Sequence, residues 1–280
     1  MDIAVSNQTG YGATKITMDQ PKSFPNRTLN IRARHAFTLV ELLTVITIIA
    51  ILAAMSLVAI SGVQKSAKVK AAQIELQGLV SAITAYEADY SHFPLSTNEL
   101  AMAGTSDFTT GMMSSFGSAP AYSYDNNSNV VAILMDLEHF PNGDATVNLH
   151  HVKNSKQTIY LNAKMSGYDP KSGGSPLPGV DNTGIYRDPW GNPYVITMDT
   201  SYDNQCSDLL YSLQSVSQNP SGSTSTAGFH GLANTTDPGG VGNHFLYHGR
   251  VMAWSAGPDR QFDTSSANAG LNRDNVLSWQ

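Results

Sequence analysis

The chain has a single cysteine, Cys206, in 280 residues. No intrachain disulfide is possible, so any globular part must be held by packing, hydrogen bonds or a metal. Proline is missing from residues 37–90, where only Gly62 and Gly78 weaken a helix. Basic residues are also scarce. Five of the 16 (Lys15, Lys22, Arg27, Arg32 and Arg34) and two of the 22 acids (Asp2 and Asp19) precede Phe37, so residues 37–280 keep 11 basic and 20 acidic side chains, net −9. Such an excess of acid argues against a nucleic-acid surface. No nucleophile elbow, phosphate loop or zinc-protease motif is present. Asp188 and Asp199 read as turn and strand-end residues rather than a catalytic acid pair. The pairs His150/His151 and His244/His248 have no cysteine near them and no standard zinc spacing. Nothing in the chain calls for an enzyme.

What is present is one long apolar run of 24 residues, Phe37 to Ile60, with a carboxylate, Glu41, close to its start. The run is long enough to span a bilayer, and an ionisable group inside a span is costly enough to be expected to have a function and a cationic partner. It is too long for the apolar core of a secretory signal, and no small-x-small site closes it. Arg27, Arg32 and Arg34 precede it and Lys65, Lys68 and Lys70 follow, so the count of positive charge does not orient it. The plain alternative is a membrane anchor with a tolerated Glu41.

The segment Ala36-Phe37-Thr38-Leu39-Val40-Glu41 closely resembles the class III leader and mature N-terminus of type IV pilins and of type II secretion pseudopilins. The resemblance implies that a prepilin peptidase cuts between Ala36 and Phe37 and methylates the new amine of Phe37. It also implies that Glu41 neutralises the amine of a neighbouring subunit during assembly. Residues 1–36 are then a cleaved leader, residues 37–60 a transmembrane and assembly helix, residues 61–92 its amphipathic continuation, and residues 93–280 a globular head. Ala36 stands where the family usually has Gly, and Val58 where it commonly has Pro, so any kink would have to come from Ser56, Ser61 or Gly62.

The spacing of Leu76, Leu79, Val80, Ile83, Tyr86 and Tyr90 predicts one apolar stripe on a helix running from Phe37 to about Tyr90. Pro94 ends that helix, because it disfavours helical geometry at Phe93. Farther along, a short helix is expected over Val130–Leu137, a short strand over Thr158–Leu161 and a loop over Lys171–Gly179. Gln214–Gly242 has no periodicity and reads as a flexible surface loop. Phe245 to Ser255 reads as two strands joined by a tight turn at His248-Gly249-Arg250.

Asp188-Pro189-Trp190-Gly191-Asn192-Pro193-Tyr194 predicts a turn leading into a strand over Tyr194–Thr200. It resembles a signature of the major pseudopilin of type II secretion. The tail from Trp254 to Asp263, followed by Arg273-Asp274, resembles that protein's calcium loop. The resemblance implies Asp259 and Asp274 as carboxylate ligands and the Ala256 carbonyl as a backbone ligand, with Asp263 and Ser278 as further candidates. An all-oxygen set on turning backbone is the donor chemistry calcium takes. The alternatives are an Asx turn, or an Asp259–Arg273 ion pair in place of the metal.

The sequence is thus expected to give an α+β, pilin-like fold: a long N-terminal helix packed on a small antiparallel sheet. The function it implies is that of a pseudopilin subunit of a periplasmic type II secretion filament. Its partners would be copies of itself, minor pseudopilins, the inner-membrane assembly platform and the prepilin peptidase. It would sit in the cytoplasmic membrane with its N-terminus inside. A surface pilus subunit and a membrane-anchored binding module are the alternatives.

Overall fold

The structure is a computed structural model that describes residues 37–112, 126–219, 227–236 and 243–280, without the side chains of residues 57–61. The leader 1–36, with Ala36, and the side chains of Val58 and Ser61 lie outside the described residues. The chain divides into two compact units, Met1–Ala53 and Ala54–Gln280. In the first, the described residues form the opening of helix α1 (Leu39–Tyr90), and its side chains are exposed. Leu39–Ser56 has a mean hydropathy of 2.4, long and apolar enough to cross a membrane. The helix continues through Ser56 and Gly62 into the second unit.

Within the second unit the expected stripe is the spine of the core. Leu76, Leu79, Ile83 and Tyr86 are fully buried, with Val80 and Tyr90 packed at the edge. Each buried Leu or Ile removes enough apolar surface to be worth about 1.5–3 kcal/mol. The helix ends at Tyr90 with Ser91 in the left-handed region, three residues before Pro94. The exit is pinned by side chains. Tyr86 Oη donates to the Lys153 carbonyl at 2.7 Å, Tyr90 Oη to Asn154 Oδ1 at 3.0 Å, and Arg250 Nη1 to Glu87 at 2.6 Å.

Helix α2 (Thr97–Ala103) starts with a capping box in which Ser96 and Glu99 each accept the other's backbone N–H. It leads to strand β1 (Phe108–Thr110), and helix α3 (Ser128–Leu134) covers the stripe. A two-stranded ribbon, β2 (Gly179–Val180) with β3 (Tyr186–Arg187), precedes β4 (Val195–Met198). After α4 (Gln214–Ser217), strands β5 (Ala233–Thr236) and β6 (Asn243–Leu246) form a second ribbon, followed by β7 (Val251–Ser255) and β8 (Val276–Leu277). The main sheet has the order β1-β4-β7-β8, antiparallel throughout. This is the α+β, pilin-like arrangement expected from the sequence.

Both faces of the sheet are buried, and the period-2 alternation of the strands separates them. Ile196, Met198, Val251, Ala253 and Val276 face the helix stripe. Val195, Met252, Trp254 and Leu277 face a second cluster with Cys206, Leu210, Tyr211, Val216, Leu232 and Phe245. The described residues between Cys206 and Tyr247 therefore supply a second core layer. Where residues of Gln214–Gly242 are described, the expectation of a surface loop is corrected, because α4 and β5 fall there and Val216 is fully buried; residues 220–226 and 237–242 lie outside the described residues. The two strands near Phe245–Ser255 exist, yet β6 pairs with β5 and β7 with β4, so the turn between them passes from one sheet to another.

The strand expected over Thr158–Leu161 is absent, since Asn154 binds the Thr158 backbone through both ends of its amide and the Tyr160 and Leu161 N–H groups both reach the Leu134 carbonyl. In the expected loop over Lys171–Gly179, residues Pro170–Ser172 make a 3-10 turn.

Candidate functional site

At the start of α1, Thr38 and Glu41 form a second capping box. Glu41 Oε2 accepts from Thr38 N at 2.9 Å and from Thr38 Oγ1 at 2.8 Å, while Glu41 N donates to Thr38 Oγ1 at 3.2 Å. The spacing Thr-x-x-Glu is itself a sequence signal for this cap. The consequence is chemical. The carboxylate folds back toward the helix N-terminus, onto the Thr38 N–H, and its Oε1 has no partner among the described residues.

The Asp188–Tyr194 turn is more than a turn. Asp188 is fully buried and accepts from Trp190 N at 2.8 Å, Asn192 N at 2.9 Å, Asn192 Nδ2 at 2.8 Å and the Ser255 hydroxyl. Burial outweighs these bonds and pushes the Asp188 carboxyl above the usual carboxylate range. Asn192 Nδ2 also donates to the Gly257 carbonyl at 3.0 Å, so the turn is fastened to the start of the tail loop. Tyr194 Oη donates to Glu75 of the stem helix, and burial raises the Glu75 carboxyl. One motif thus ties helix, sheet and tail together.

In the tail, Ala256 is buried directly after β7, and Gly257 is required twice over, by its φ of +68° and because a Cβ there would lie 2.2 Å from the Asp274 carbonyl oxygen. That contact brings the Asp274 backbone against the loop that carries Asp259. Burial first, then the Asp259 charge, push the Asp274 carboxyl up. Neither carboxylate forms an ion pair among the described residues, so the Asp259–Arg273 pair weighed above is not formed there. Asp259 does make an Asx turn, accepting from Gln261 N at 2.9 Å. Arg260 has a left-handed φ of +62°, a region that glycine adopts more readily. Asp263 is held elsewhere, by Ser265 N at 2.9 Å and by Asn272, and the Ser278 hydroxyl accepts from Ala253 N at 3.0 Å. The structure brings Ala256, Asp259 and Asp274 to one loop and engages Asp263 and Ser278 in separate hydrogen bonds.

The histidines have structural neighbours. His151 Nδ1 lies 2.8 Å from Asp136 and His244 Nε2 lies 2.8 Å from Ser207 Oγ. Among the described residues no group of three or more His, Cys, Asp or Glu side chains is arranged to hold a metal, and Cys206 is buried, with its thiol pushed up by that burial.

Residues 31–57 match a family model described as "Prokaryotic N-terminal methylation motif". No curated protein and no solved structure matches the chain. The motif is the type IV pilin-type signal. Together with one apolar N-terminal helix it indicates a pilin-like, membrane-anchored structural subunit of the kind a prepilin peptidase processes for filament assembly.

Proposed function

We propose that this chain is a pseudopilin of a type II secretion system. The peptidase cuts between Ala36 and Phe37 and methylates Phe37. The chain then sits in the cytoplasmic membrane with its N-terminus inside and residues 93–280 in the periplasm. Copies enter a helical filament with minor pseudopilins on an inner-membrane platform, and the filament drives export. In that filament the free Oε1 of Glu41 accepts a neighbour's Phe37 amine while Oε2 keeps the helix cap. The observation that favours a pseudopilin over a surface pilin is the joining of the Asp188–Tyr194 turn to the tail loop through Ser255 and Gly257. Deletion of the gene tests the reading: secreted enzymes should be retained in the cell. Normal secretion with loss of surface fibres would assign the chain to a pilus instead.

Calcium belongs to the same proposal. Asp259 and Asp274 are mutually repelling carboxylates with no ion-pair partner among the described residues, beside the buried Ala256 backbone, and this donor set fits a hard, oxygen-seeking ion. Bound calcium would tie the last strand to the tail. A ligand that binds only the folded state adds about 2.7 kcal/mol at a hundredfold excess over Kd, so the melting temperature should rise by several degrees in calcium relative to chelator. The double variant Asp259→Ala, Asp274→Ala should lose that rise. Identical melts of the unmutated protein with calcium and with chelator would remove the metal from the account.

A further inference from the structure

We infer that His151 is a pH-sensitive clasp: while its ring carries two protons it fastens a strap, residues 148–160, over the exit of the stem helix, and it releases the strap when one proton leaves. The inference concerns the head alone and is independent of the secretion reading.

On one side the strap is bound to α1. Tyr86 Oη donates to the Lys153 carbonyl and Tyr90 Oη to Asn154 Oδ1, Tyr90 Oη accepts from Lys156 N at 2.8 Å, and Lys156 Nζ lies 2.8 Å from Asp89. On the other side it is held by two acids in the segment after α3. Asp136 Oδ1 accepts from Asn148 Nδ2 at 2.9 Å, and Glu138 Oε2 accepts from His150 N at 2.9 Å. The same two acids grip the His151 ring, with Nδ1 2.8 Å from Asp136 Oδ1 and Nε2 3.4 Å from Glu138 Oε1.

A ring so placed needs two N–H groups. Neutral imidazole has one N–H and one lone pair, so one carboxylate would face a lone pair, whereas the imidazolium donates to both. The Asp136 bond, helped by the charges of Asp136 and Glu138, outweighs desolvation and raises His151 above the usual histidine value. Among the described residues these two acids are the charged groups against the ring. The other elements on the strap bring no further charge to it: α2 meets Lys153 Nζ through Thr97 Oγ1 at 3.4 Å, and Asp89 of α1 is paired with Lys156. His150 is exposed, its Nδ1 3.9 Å from Glu138.

The backbone is set to open. His150 and His151 have left-handed φ values of +58° and +56°, which residues other than glycine keep only where surrounding bonds fix them. Loss of a ring bond therefore weakens the hold and lets strain relax. Because the folded value of His151 lies above the unfolded one, near 6.5, the clasp's contribution is complete below about pH 6.5 and is lost as pH rises through the folded value.

Hydrogen exchange of the full chain in a non-ionic detergent tests the clasp, read by mass spectrometry from about pH 5.5 to 8.5 and corrected for the intrinsic rate. The amides of His150, Lys153, Asn154 and Lys156, all bonded within the strap or its anchors, should lose protection roughly tenfold as pH rises, while β4 and β7 keep theirs. His151→Gln should show the low protection at every pH, and His150→Asn should keep the transition. Glu138→Gln retains an acceptor for His150 N but removes a charge, so its midpoint should move to lower pH. Strap protection independent of pH in the unmutated protein, a transition that survives in His151→Gln or vanishes in His150→Asn, or an unmoved midpoint in Glu138→Gln would overturn the inference.

Discussion

Replacing Glu41 with glutamine is expected to stop filament assembly as completely as replacing it with alanine, with filament yield falling at least tenfold and the leader still cut normally. The pair of variants separates two roles that the structure places on one side chain. Glutamine in the third helical position can still close a capping box with Thr38, whereas alanine cannot and loses about 1 kcal/mol of helix-start stability. Neither carries charge. If the carboxylate neutralises an amine in the apolar centre of a filament, both variants leave that amine unpaired, at a cost of several kcal/mol that far exceeds the cap. Cleavage should continue in both because Ala36 and Phe37 are untouched. Yield is read by shearing and quantifying filaments. A glutamine variant that assembles like the wild type would leave Glu41 with the cap alone.

Asp188→Ala should destabilise the head by about 3–5 kcal/mol. The four donors that converge on this buried carboxylate would be left without an acceptor, and the turn that fastens the tail loop would loosen. Asp188→Asn keeps an acceptor of the same shape and should cost less than about 2 kcal/mol. The two also differ in pH response. Burial raises the folded-state pKa of Asp188, so the folded protein holds this proton more tightly than the unfolded chain. Its share of stability is complete below about pH 3.9 and is lost as pH rises through the folded value, and Asp188→Asn should remove that part of the slope. Denaturant titrations at several pH values measure both effects. A loss under about 1 kcal/mol for Asp188→Ala would show that the motif does not hold the head together.

The parts of this fold that were legible in the sequence are those with a strong local cause. The stripe from Leu76 to Tyr90 has the helical period, Pro94 removes a donor and forces an exit, and the Pro-Trp-Gly-Asn-Pro turn leads directly into β4. The second core layer had no such cause. Cys206, Leu210, Tyr211, Val216, Leu232 and Phe245 are spaced irregularly among Ser, Asn and Gly, and only the sheet behind them brings them together. The strand expected near Thr158 failed for a similar reason, since Asn154 takes the backbone groups a ladder would need.

At the candidate sites, residue types told which oxygens were available but not which were already engaged. Asp259 lies close enough to Asp274 to raise its carboxyl, whereas Asp263 is turned toward Ser265 and Asn272. The capping boxes at Thr38/Glu41 and Ser96/Glu99 were readable from spacing alone. In the first, the functional expectation attached to Glu41 obscured its local role.

The central claim is that the chain is processed as a pilin-like subunit, and the most direct measurement is mass spectrometry of the N-terminal peptide of the protein purified from its native membrane. The account predicts a peptide beginning at Phe37 with one methyl group on its amine. A retained leader, or a mature start at any other residue, would contradict it.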